Sequence, residues 1–153
     1  IAQALGLTTR SATELAADVR CLVLLGTELP VDDARLRELE LIAITTHERG
    51  PVVQAKVALP ASAWAEASGT VTNHQGFVQR MHPAFAPPGQ ALAAWEAVVR
   101  LAQATPAAAP AKLGYTHARE VFKDMTQAVP AWSTLTWARE ARPLALRFAG
   151  SRG

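Results

Sequence analysis

Cysteine is almost absent from this sequence: its 153 residues include a single one, Cys21. One cysteine cannot build a disulfide framework within the chain, and an iron-sulfur cluster or a thiolate zinc site needs several sulfur ligands at short spacings. Any such centre has to lie on another part of the protein. Cys21 itself stands in a largely apolar run, which predicts a small buried side chain.

Long apolar stretches and familiar catalytic motifs are also missing. No run approaches the roughly 18 apolar residues of a membrane span, and the first residues lack the layout of a signal peptide. The sequence contains no Gly-x-Ser-x-Gly elbow, no phosphate loop ending in Gly-Lys-Ser or Gly-Lys-Thr, and no Gly-x-Gly-x-x-Gly. No two histidines have the short spacing of a helical metal pair, and each is interpreted as a surface or capping residue; they are His47, His74, His82 and His117.

Neither sign of charge dominates, because 15 basic and 13 acidic side chains give a net charge of +2. Basic residues are scattered among acidic ones until Arg139, so the pattern does not indicate nucleic-acid binding. The arginine-rich tail after Arg139 is interpreted as a solvated helix face or as a contact with an acidic partner. With 50% hydrophobic and 6% aromatic residues, the composition predicts a helix-rich folded chain rather than a disordered one.

The strongest strand signal is the apolar run Cys21–Leu25, which ends at Gly26 and Pro30. Its continuous apolarity predicts a central parallel strand that is buried on both faces. A glycine at the carboxyl end of a parallel strand is where open α/β sheets tend to bind ligands. A tight exit turn explains Gly26 equally well, so we assign no ligand to it.

Helical periodicity and short apolar runs alternate along the rest of the chain. The other predicted elements are a short helix capped by Ser11 or Thr13, a helix over 31–39, strands over Leu41–Thr45 and Val57–Leu59, helices over Leu92–Ala102 and Ala118–Val129, and a docking helix over Trp132–Phe148 that breaks near Pro143. The first strands and the helix between them form a βαβ unit. We therefore expect an α/β fold with a small, mainly parallel, Rossmann-like sheet flanked by helices and a helical C-terminal segment.

The stretch Gly69–Gln79 has β-favouring residues on both sides of a polar turn, which predicts a β-hairpin. Asn73 is expected to hydrogen-bond the turn backbone, and Gly76 to take a left-handed conformation. The acids Asp32, Asp33 and Glu66 are assigned ordinary roles in capping and solvation.

An alanine-proline linker over 104–111 divides the chain into an α/β domain with the hairpin, residues 1–105, and a helical C-terminal extension, residues 106–153. The chain begins with Ile1 rather than methionine. We interpret it as a piece of a longer or processed protein.

The order of motifs in the first two thirds of the chain is more specific than any one of them. Leu24-Leu25-Gly26-Thr27-Glu28-Leu29-Pro30 is followed by Ala55-Lys56-Val57-Ala58-Leu59-Pro60-Ala61, and then by Glu66, Gly69, Thr70, Asn73, Gly76 and Gln79. This order resembles the molybdopterin oxidoreductases, in which an Ala-Asp-Val-Val-Leu-Pro-like segment precedes a Glu-x-x-Gly-Thr-x-x-Asn-x-x-Gly-x-x-Gln hairpin. The proline-rich segment 86–91 and the helix bearing Trp95 continue the resemblance.

Three positions depart from the family pattern. Lys56 stands where the family usually has aspartate, Gln75 where glutamate or threonine is common, and Phe77 where arginine is frequent. Losing a carboxylate and a guanidinium removes groups suited to binding a polar cofactor. Together with the Ala-x-x-Val-Phe pattern over 118–122, these departures resemble the C-terminal part of the large iron-sulfur subunit of respiratory complex I, the NADH-quinone oxidoreductase.

This resemblance implies a structural fragment that is not itself catalytic, in which we assign no catalytic, cofactor-binding or metal-binding residue. Iron-sulfur clusters are expected elsewhere in the parent subunit, which would relay electrons from NADH toward quinone. The expected partners are the rest of that subunit and neighbouring peripheral-arm subunits, with Trp132 and Trp137 as candidate interface anchors. The expected location is cytoplasmic, on the inner face of the cell membrane, without membrane insertion.

Two alternatives stay open from the sequence. The first is a fragment of a molybdenum enzyme acting on formate or another small oxidisable substrate, with residues near Gly26 and the hairpin lining the nucleotide end of the cofactor. The second is a stand-alone protein-interaction module that kept the fold without redox work.

Overall fold

The α/β fold expected from the sequence is confirmed. The computed structural model describes residues 10–73, 77–105, 113–137 and 142–143. Their elements are α1 Ala12–Asp18, β1 Cys21–Leu25, α2 Asp33–Glu38, β2 Glu40–Thr45, β3 Val57–Pro60, β4 Gly69–Thr72, β5 Phe77–Met81, α3 Ala94–Ala104, α4 Ala118–Ala128 and β6 Arg142–Pro143. Short 3-10 helices occupy Gly50–Gln54, Trp64–Glu66 and Pro130–Trp132. Within these residues, every helix is too short or too polar to cross a bilayer.

The first sheet is parallel, with strand order β1-β2-β3. One of its faces packs against the two connections between its strands. Leu36 of α2 and Val52 of the first 3-10 helix are buried in one cluster with strand residues Leu24, Leu41 and Ala43. Each connection returns the chain over the same sheet face to the start of the neighbouring strand, as parallel pairing requires.

The position of β1 corrects two predictions. β1 lies at the edge of the sheet, and β2 is the central strand. Cys21 is exposed, and Val23 and Leu25 keep 44% and 59% of their surface accessible. By contrast, Leu41 and Ala43 of β2 are fully buried, at 0%. An apolar run shows that a strand can be buried on both faces, but which strand becomes central depends on pairing partners distant in sequence.

The second sheet is antiparallel, with order β4-β5-β6. The predicted hairpin is confirmed, and its turn is held as expected by Asn73, whose Oδ1 accepts a 2.9 Å hydrogen bond from Phe77 N. Gly76 and Gln75 lie outside the described residues. Phe122 of α4 is buried in a cluster with Leu135, and its ring meets that of Trp137 edge-on at 5.3 Å between centroids.

The C-terminal docking helix predicted over Trp132–Phe148 is wrong where the chain is described. Trp132 ends a 3-10 helix, and Arg142–Pro143 forms β6, paired with Val78 and Phe77. Proline has no N–H to donate and is tolerated at a sheet edge, which suits Pro143 to this short strand. Residues 144–148 lie outside the described part, and the division at residue 105 stays a prediction.

Side chains cap three helices. Ser11 caps α1 as predicted, with Glu14 N donating to its Oγ over 3.1 Å, and Asp32 Oδ1 caps α2 by accepting from Arg35 N over 2.9 Å. At α4, Oε2 of Glu120 accepts hydrogen bonds from the N–H groups of Thr116, at 2.7 Å, and His117, at 3.1 Å. These N–H groups hold the pKa of Glu120 below its ordinary value of 4.5.

The loops that follow β1 and β2 approach each other at Gly50. Its φ angle is +58°, in the left-handed region, and a Cβ at this position would lie 3.3 Å from the carbonyl oxygen of Thr27. Any larger residue would therefore be strained twice, through its own backbone and against the neighbouring loop.

Replacing Gly50 by alanine is expected to lower the free energy of unfolding by about 1–2 kcal/mol, because the left-handed conformation penalises a Cβ. The measurement is urea denaturation. Gly114→Ala is the control, since a Cβ at Gly114 would meet nothing within 4 Å. Equal effects of the two substitutions would contradict this account of the Gly50 loop.

Glu120→Gln is expected to lower the melting temperature most at neutral pH. Because the folded pKa of Glu120 is lowered, its stabilisation is complete above the ordinary value of 4.5 and disappears as the pH falls through the lowered pKa. The gap between wild type and Glu120→Gln should therefore be constant above pH 4.5 and close as the pH falls below that value. Glu48→Gln is the control, since no hydrogen bond to Glu48 is seen in the described residues; a gap that widens in acid would refute the assignment.

Candidate functional site

Three strand exits lie along one edge of the parallel sheet. Because β1, β2 and β3 run in the same direction, their carboxyl ends meet at this edge. The exits are Gly26–Thr27, Thr46–His47 and Ala61–Ser62. In open α/β sheets, ligands bind in the crevice outside the carboxyl ends of the strands.

The first exit exposes backbone. Gly26 has a φ angle of +123°, and no atom lies within 4 Å of the place where a Cβ would stand. Its N–H donates to the carbonyl oxygen of Ile44 over 3.0 Å, which continues the sheet ladder for one more residue. The exit turn that the sequence analysis gave as one explanation of Gly26 is thus present, and the open space beside it leaves room for a ligand.

The second exit presents a hydroxyl and an imidazole. Thr45 is buried at 7% exposure, and its Oγ1 donates to the carbonyl oxygen of His47 over 3.0 Å. Thr46 Oγ1 lies 2.8 Å from Nδ1 of His47. The buried threonine closes the turn, so the two exposed side chains, Thr46 and His47, are held next to each other. Both can donate hydrogen bonds to an anionic or carbonyl oxygen.

The third exit opens into a larger cavity, which we call the exit cleft. Its volume is 830 Å³, and it lies between the segment after β3, strand β5 and the first turns of α3 and α4. The side chains of its walls that matter here are those of Ser62, Glu66, Arg80, Trp95, Glu96, Arg119, Glu120 and Trp137. They come from segments far apart in sequence.

Three polar atoms in the walls of the exit cleft are buried without a hydrogen-bond partner in the described part of the chain. They are Ser62 Oγ, Arg80 Nε and Trp95 Nε1. An unsatisfied buried polar group costs about 1–3 kcal/mol, so native proteins rarely keep several together unless water or a ligand completes them. Their concentration here indicates a site for a polar ligand.

The acidic side chains of the exit cleft are already engaged. Glu66 Oε2 accepts from Ala63 N over 2.8 Å, and Glu96 pairs with Arg100 at 2.7 Å. Glu120 is held by the N–H groups at the start of α4, which lower its pKa. Each carboxylate therefore already has a hydrogen-bond or ion-pair partner.

The two arginines of the exit cleft, Arg80 and Arg119, differ from its carboxylates. No carboxylate in the described residues forms a salt bridge with Arg80 or Arg119. The Arg80 guanidinium instead packs over the ring of Trp137, 4.9 Å from its centroid. Stacking on an aromatic ring keeps the guanidinium charged and leaves its edge free to bind a carboxylate or a phosphate.

Of the three positions that depart from the family pattern, the structure describes Lys56 and Phe77, and it places both away from the exit cleft. Lys56 precedes β3 at its amino end, the edge of the sheet opposite the strand exits. Phe77 begins β5, donates its N–H to Asn73 and pairs with Pro143. The replacement of aspartate by Lys56 therefore leaves the charge at the strand exits unchanged.

The capping roles predicted for Asp32 and Glu66 are confirmed.

Reasoning from the sequence missed Arg80 and Trp95 as site residues. Neither residue stands in a motif with an established chemistry. The sequence pattern indicates only that Arg80 belongs to a strand and Trp95 to a helix. Only the packing of β5 beside the start of α3 brings them to one cavity. His47, His82 and His117 are exposed, as expected for surface or capping residues.

Comparison with known proteins assigns residues 22–104 to one family. The family model described as molybdopterin oxidoreductase matches residues 22–104. F420-dependent formate dehydrogenase 2 subunit alpha of Methanococcus maripaludis is 39% identical over 85 residues, which are 56% of this chain and 12% of that protein. F420-dependent formate dehydrogenase 1 subunit alpha of the same organism is 28% identical over 135 residues, 79% of this chain and 19% of that protein. The nitrate reductase of Klebsiella oxytoca is 39% identical over 70 residues, 46% of this chain and 8% of that protein.

These relatives narrow the interpretation of the sequence. The chain spans less than a fifth of the length of each. They are formate dehydrogenase alpha subunits and a nitrate reductase, so they do not support the expected likeness to the large subunit of complex I. The 118–122 pattern, on which that likeness rested in part, lies outside residues 22–104, which the family model matches. Because the family model covers more than half of its residues, the chain belongs to the molybdopterin oxidoreductase family.

Proposed function

We propose that this chain is a cofactor-binding part of a molybdopterin-dependent oxidoreductase of the formate dehydrogenase kind. In this proposal the strand exits and the exit cleft receive the polar, phosphate-bearing portion of the cofactor. The observation that carries it is the group of unpartnered buried donors in the exit cleft, Ser62, Arg80 and Trp95. The formate dehydrogenase subunits among the relatives support the choice of enzyme class.

The side chains present fit such a ligand chemically. A phosphate or carbonyl oxygen accepts hydrogen bonds but donates none when ionised, and the exit cleft offers a hydroxyl, an indole N–H and a guanidinium. Arg80 would supply the charge, since no carboxylate in the described residues pairs with it. At the first exit, Gly26 would let the ligand approach the backbone closely.

Arg80 is held in place before any ligand arrives. Its guanidinium lies over the Trp137 ring, which in turn contacts Phe122 in the core of the second sheet. Ordering a long side chain in advance lowers the entropy lost on binding. The packing of α4 on the antiparallel sheet thus serves the exit cleft by fixing its principal cation.

The bound cofactor would supply a molybdenum ion that accepts two electrons when a substrate such as formate is oxidised to carbon dioxide with release of a proton. The residues of this chain would bind and orient the cofactor and keep water from its polar groups. Ser62 and Trp95 would donate hydrogen bonds, and Arg80 would balance negative charge. We assign none of them to the proton transfer.

Any iron-sulfur clusters and further subunits would belong to the whole protein, since this chain spans less than a fifth of the length of its formate dehydrogenase relatives. Iron-sulfur clusters elsewhere in the polypeptide remain part of the proposal, since the single cysteine of this chain cannot ligate one. The cytoplasmic location and the peripheral-arm partners stay predictions of the complex I interpretation.

Arg80→Gln in the full-length protein is expected to weaken cofactor retention about 10- to 100-fold, because a hydrogen bond to a charged group contributes about 1.5–3 kcal/mol. The readout is molybdenum and pterin per chain after dialysis, with formate oxidation measured alongside. Arg20→Gln makes the same chemical change at an exposed position between α1 and β1, and should leave both unchanged.

Two results would contradict the proposal. Full molybdenum content in Arg80→Gln at every dilution would remove Arg80 from the cofactor site. Wild-type protein that contains iron but no molybdenum would instead favour the scaffold role predicted from the likeness to complex I.

A further inference from the structure

A second cavity, which we call the apolar chamber, lies against helix α4. Its volume is 280 Å³, and it is bounded by strands β4 and β5, the start of α3 and the first turns of α4. The larger side chains of its walls are apolar: Met81, Trp95, Val121, Phe122, Met125 and Trp137. Native cores keep few voids of this size, because close packing maximises dispersion contacts. The apolar chamber therefore leaves room for a neighbouring element to move.

The apolar chamber adjoins the exit cleft. Ser62, Trp95 and Trp137 line both cavities, and so does Ala118 in the first turn of α4. A shift of this turn toward the start of α3 would therefore narrow the exit cleft and the apolar chamber together.

Helix α4 is anchored at its middle and loosely held at its start. Phe122 is 5% exposed and packs with Leu135 in the core of the second sheet. In the described residues, every hydrogen bond made by a side chain of α4 stays within the segment 115–126. The segment that enters α4 is linked to α3 by an exposed hydrogen bond from Gln103 Nε2 to the carbonyl oxygen of Leu113. Helices held mainly by side-chain packing can slide through small shear movements.

The unpartnered donors of the exit cleft stand on every wall except α4. Ser62 follows β3, Arg80 belongs to β5 and Trp95 to α3. Helix α4 contributes Arg119, which is exposed and forms no salt bridge within the described residues. A ligand bound to the three donors would leave this cation unused as long as α4 keeps its position. An anionic ligand would attract Arg119 and draw the start of α4 toward the exit cleft.

We propose that the start of α4 is a lid, which pivots about Phe122 onto a ligand in the exit cleft, fills the apolar chamber and brings Arg119 to the ligand. This inference rests on the proposed function, because the ligand is the phosphate-bearing part of the cofactor. Met81 and Met125 suit the movement, since unbranched methionine side chains adapt to a cavity that changes shape. Arg80 is thus the cation fixed in advance, and Arg119 the cation that arrives with the lid.

Thr70→Phe is expected to hold the lid open, because Thr70 lines the apolar chamber and not the exit cleft. In the full-length protein it should weaken cofactor retention, measured as pterin per chain after dialysis, about tenfold or more. This is the loss expected when Arg119 can no longer make its charged hydrogen bond. Val71→Phe is the matched control, since Val71 follows Thr70 on β4, points to the other face and is 45% exposed. It should retain the cofactor as wild type does.

Arg119→Gln should weaken retention by a similar factor, and combining it with Thr70→Phe should add nothing. A lid that is held open already withholds Arg119, whereas two independent losses would multiply to about a hundredfold or more. Hydrogen exchange reports the movement itself. In wild type, the amides of residues 118–125 should exchange about tenfold more slowly in cofactor-loaded than in cofactor-free protein. In Thr70→Phe at matched pterin content, this difference should be absent.

Val121→Leu fills the apolar chamber from α4 by a smaller amount and should act in the same direction, so the test does not depend on the folding of Thr70→Phe. Cofactor retention equal to wild type in both chamber-filling variants would overturn the lid. So would a double variant whose loss is the product of the two single losses. Full-length wild-type protein that contains no pterin would instead overturn the proposed function, and the lid with it.

Discussion

The burial of β2 is the constraint on which the rest of the structure depends. Leu41 and Ala43 point to one face and Ile44 to the other, and all three are at most 1% exposed. Such burial requires a strand on each side and a helical layer on each face. Strands β1 and β3 lie on the two sides of β2. Helix α2 and the turn at Val52 cover one face of the sheet, and α3 covers part of the other. This arrangement aligns the three strand exits on one edge.

The exit cleft arises where the parallel sheet is joined to the rest of the chain. Ser62 N donates to the carbonyl oxygen of Leu92 over 2.8 Å, and Leu92 N to that of Pro60 over 3.2 Å, so the segment before α3 is tied to the end of β3. That tie sets Trp95, in the first turn of α3, beside the third strand exit. Arg80 reaches the same cavity from the antiparallel sheet, so the donors meet only because the sheets are adjacent.

The parallel sheet and the exit cleft leave two kinds of group unsatisfied. The exit cleft keeps buried donors without acceptors, whereas Val23, Leu25 and Val57 of the sheet keep aliphatic surface in contact with water. A polar group that lacks a partner and an apolar group that lacks cover are both unfavourable, but they are satisfied by different chemistry. The buried donors of the exit cleft require hydrogen-bond acceptors.

The sequence by itself determined the local features and the family. The Ser11 cap, the Asn73 turn and the bounds of β1 follow from neighbouring residues, so they could be predicted. Tertiary structure alone decided that β1 lies at the edge, that Cys21 is exposed and that Arg142–Pro143 pairs with β5. Tertiary structure also creates the exit cleft, because its donors Ser62, Arg80 and Trp95 lie on three separate segments of the chain. The physical reason is the same throughout: backbone propensity and periodicity act over a few residues, whereas strand order and cavity walls depend on contacts between residues far apart in sequence.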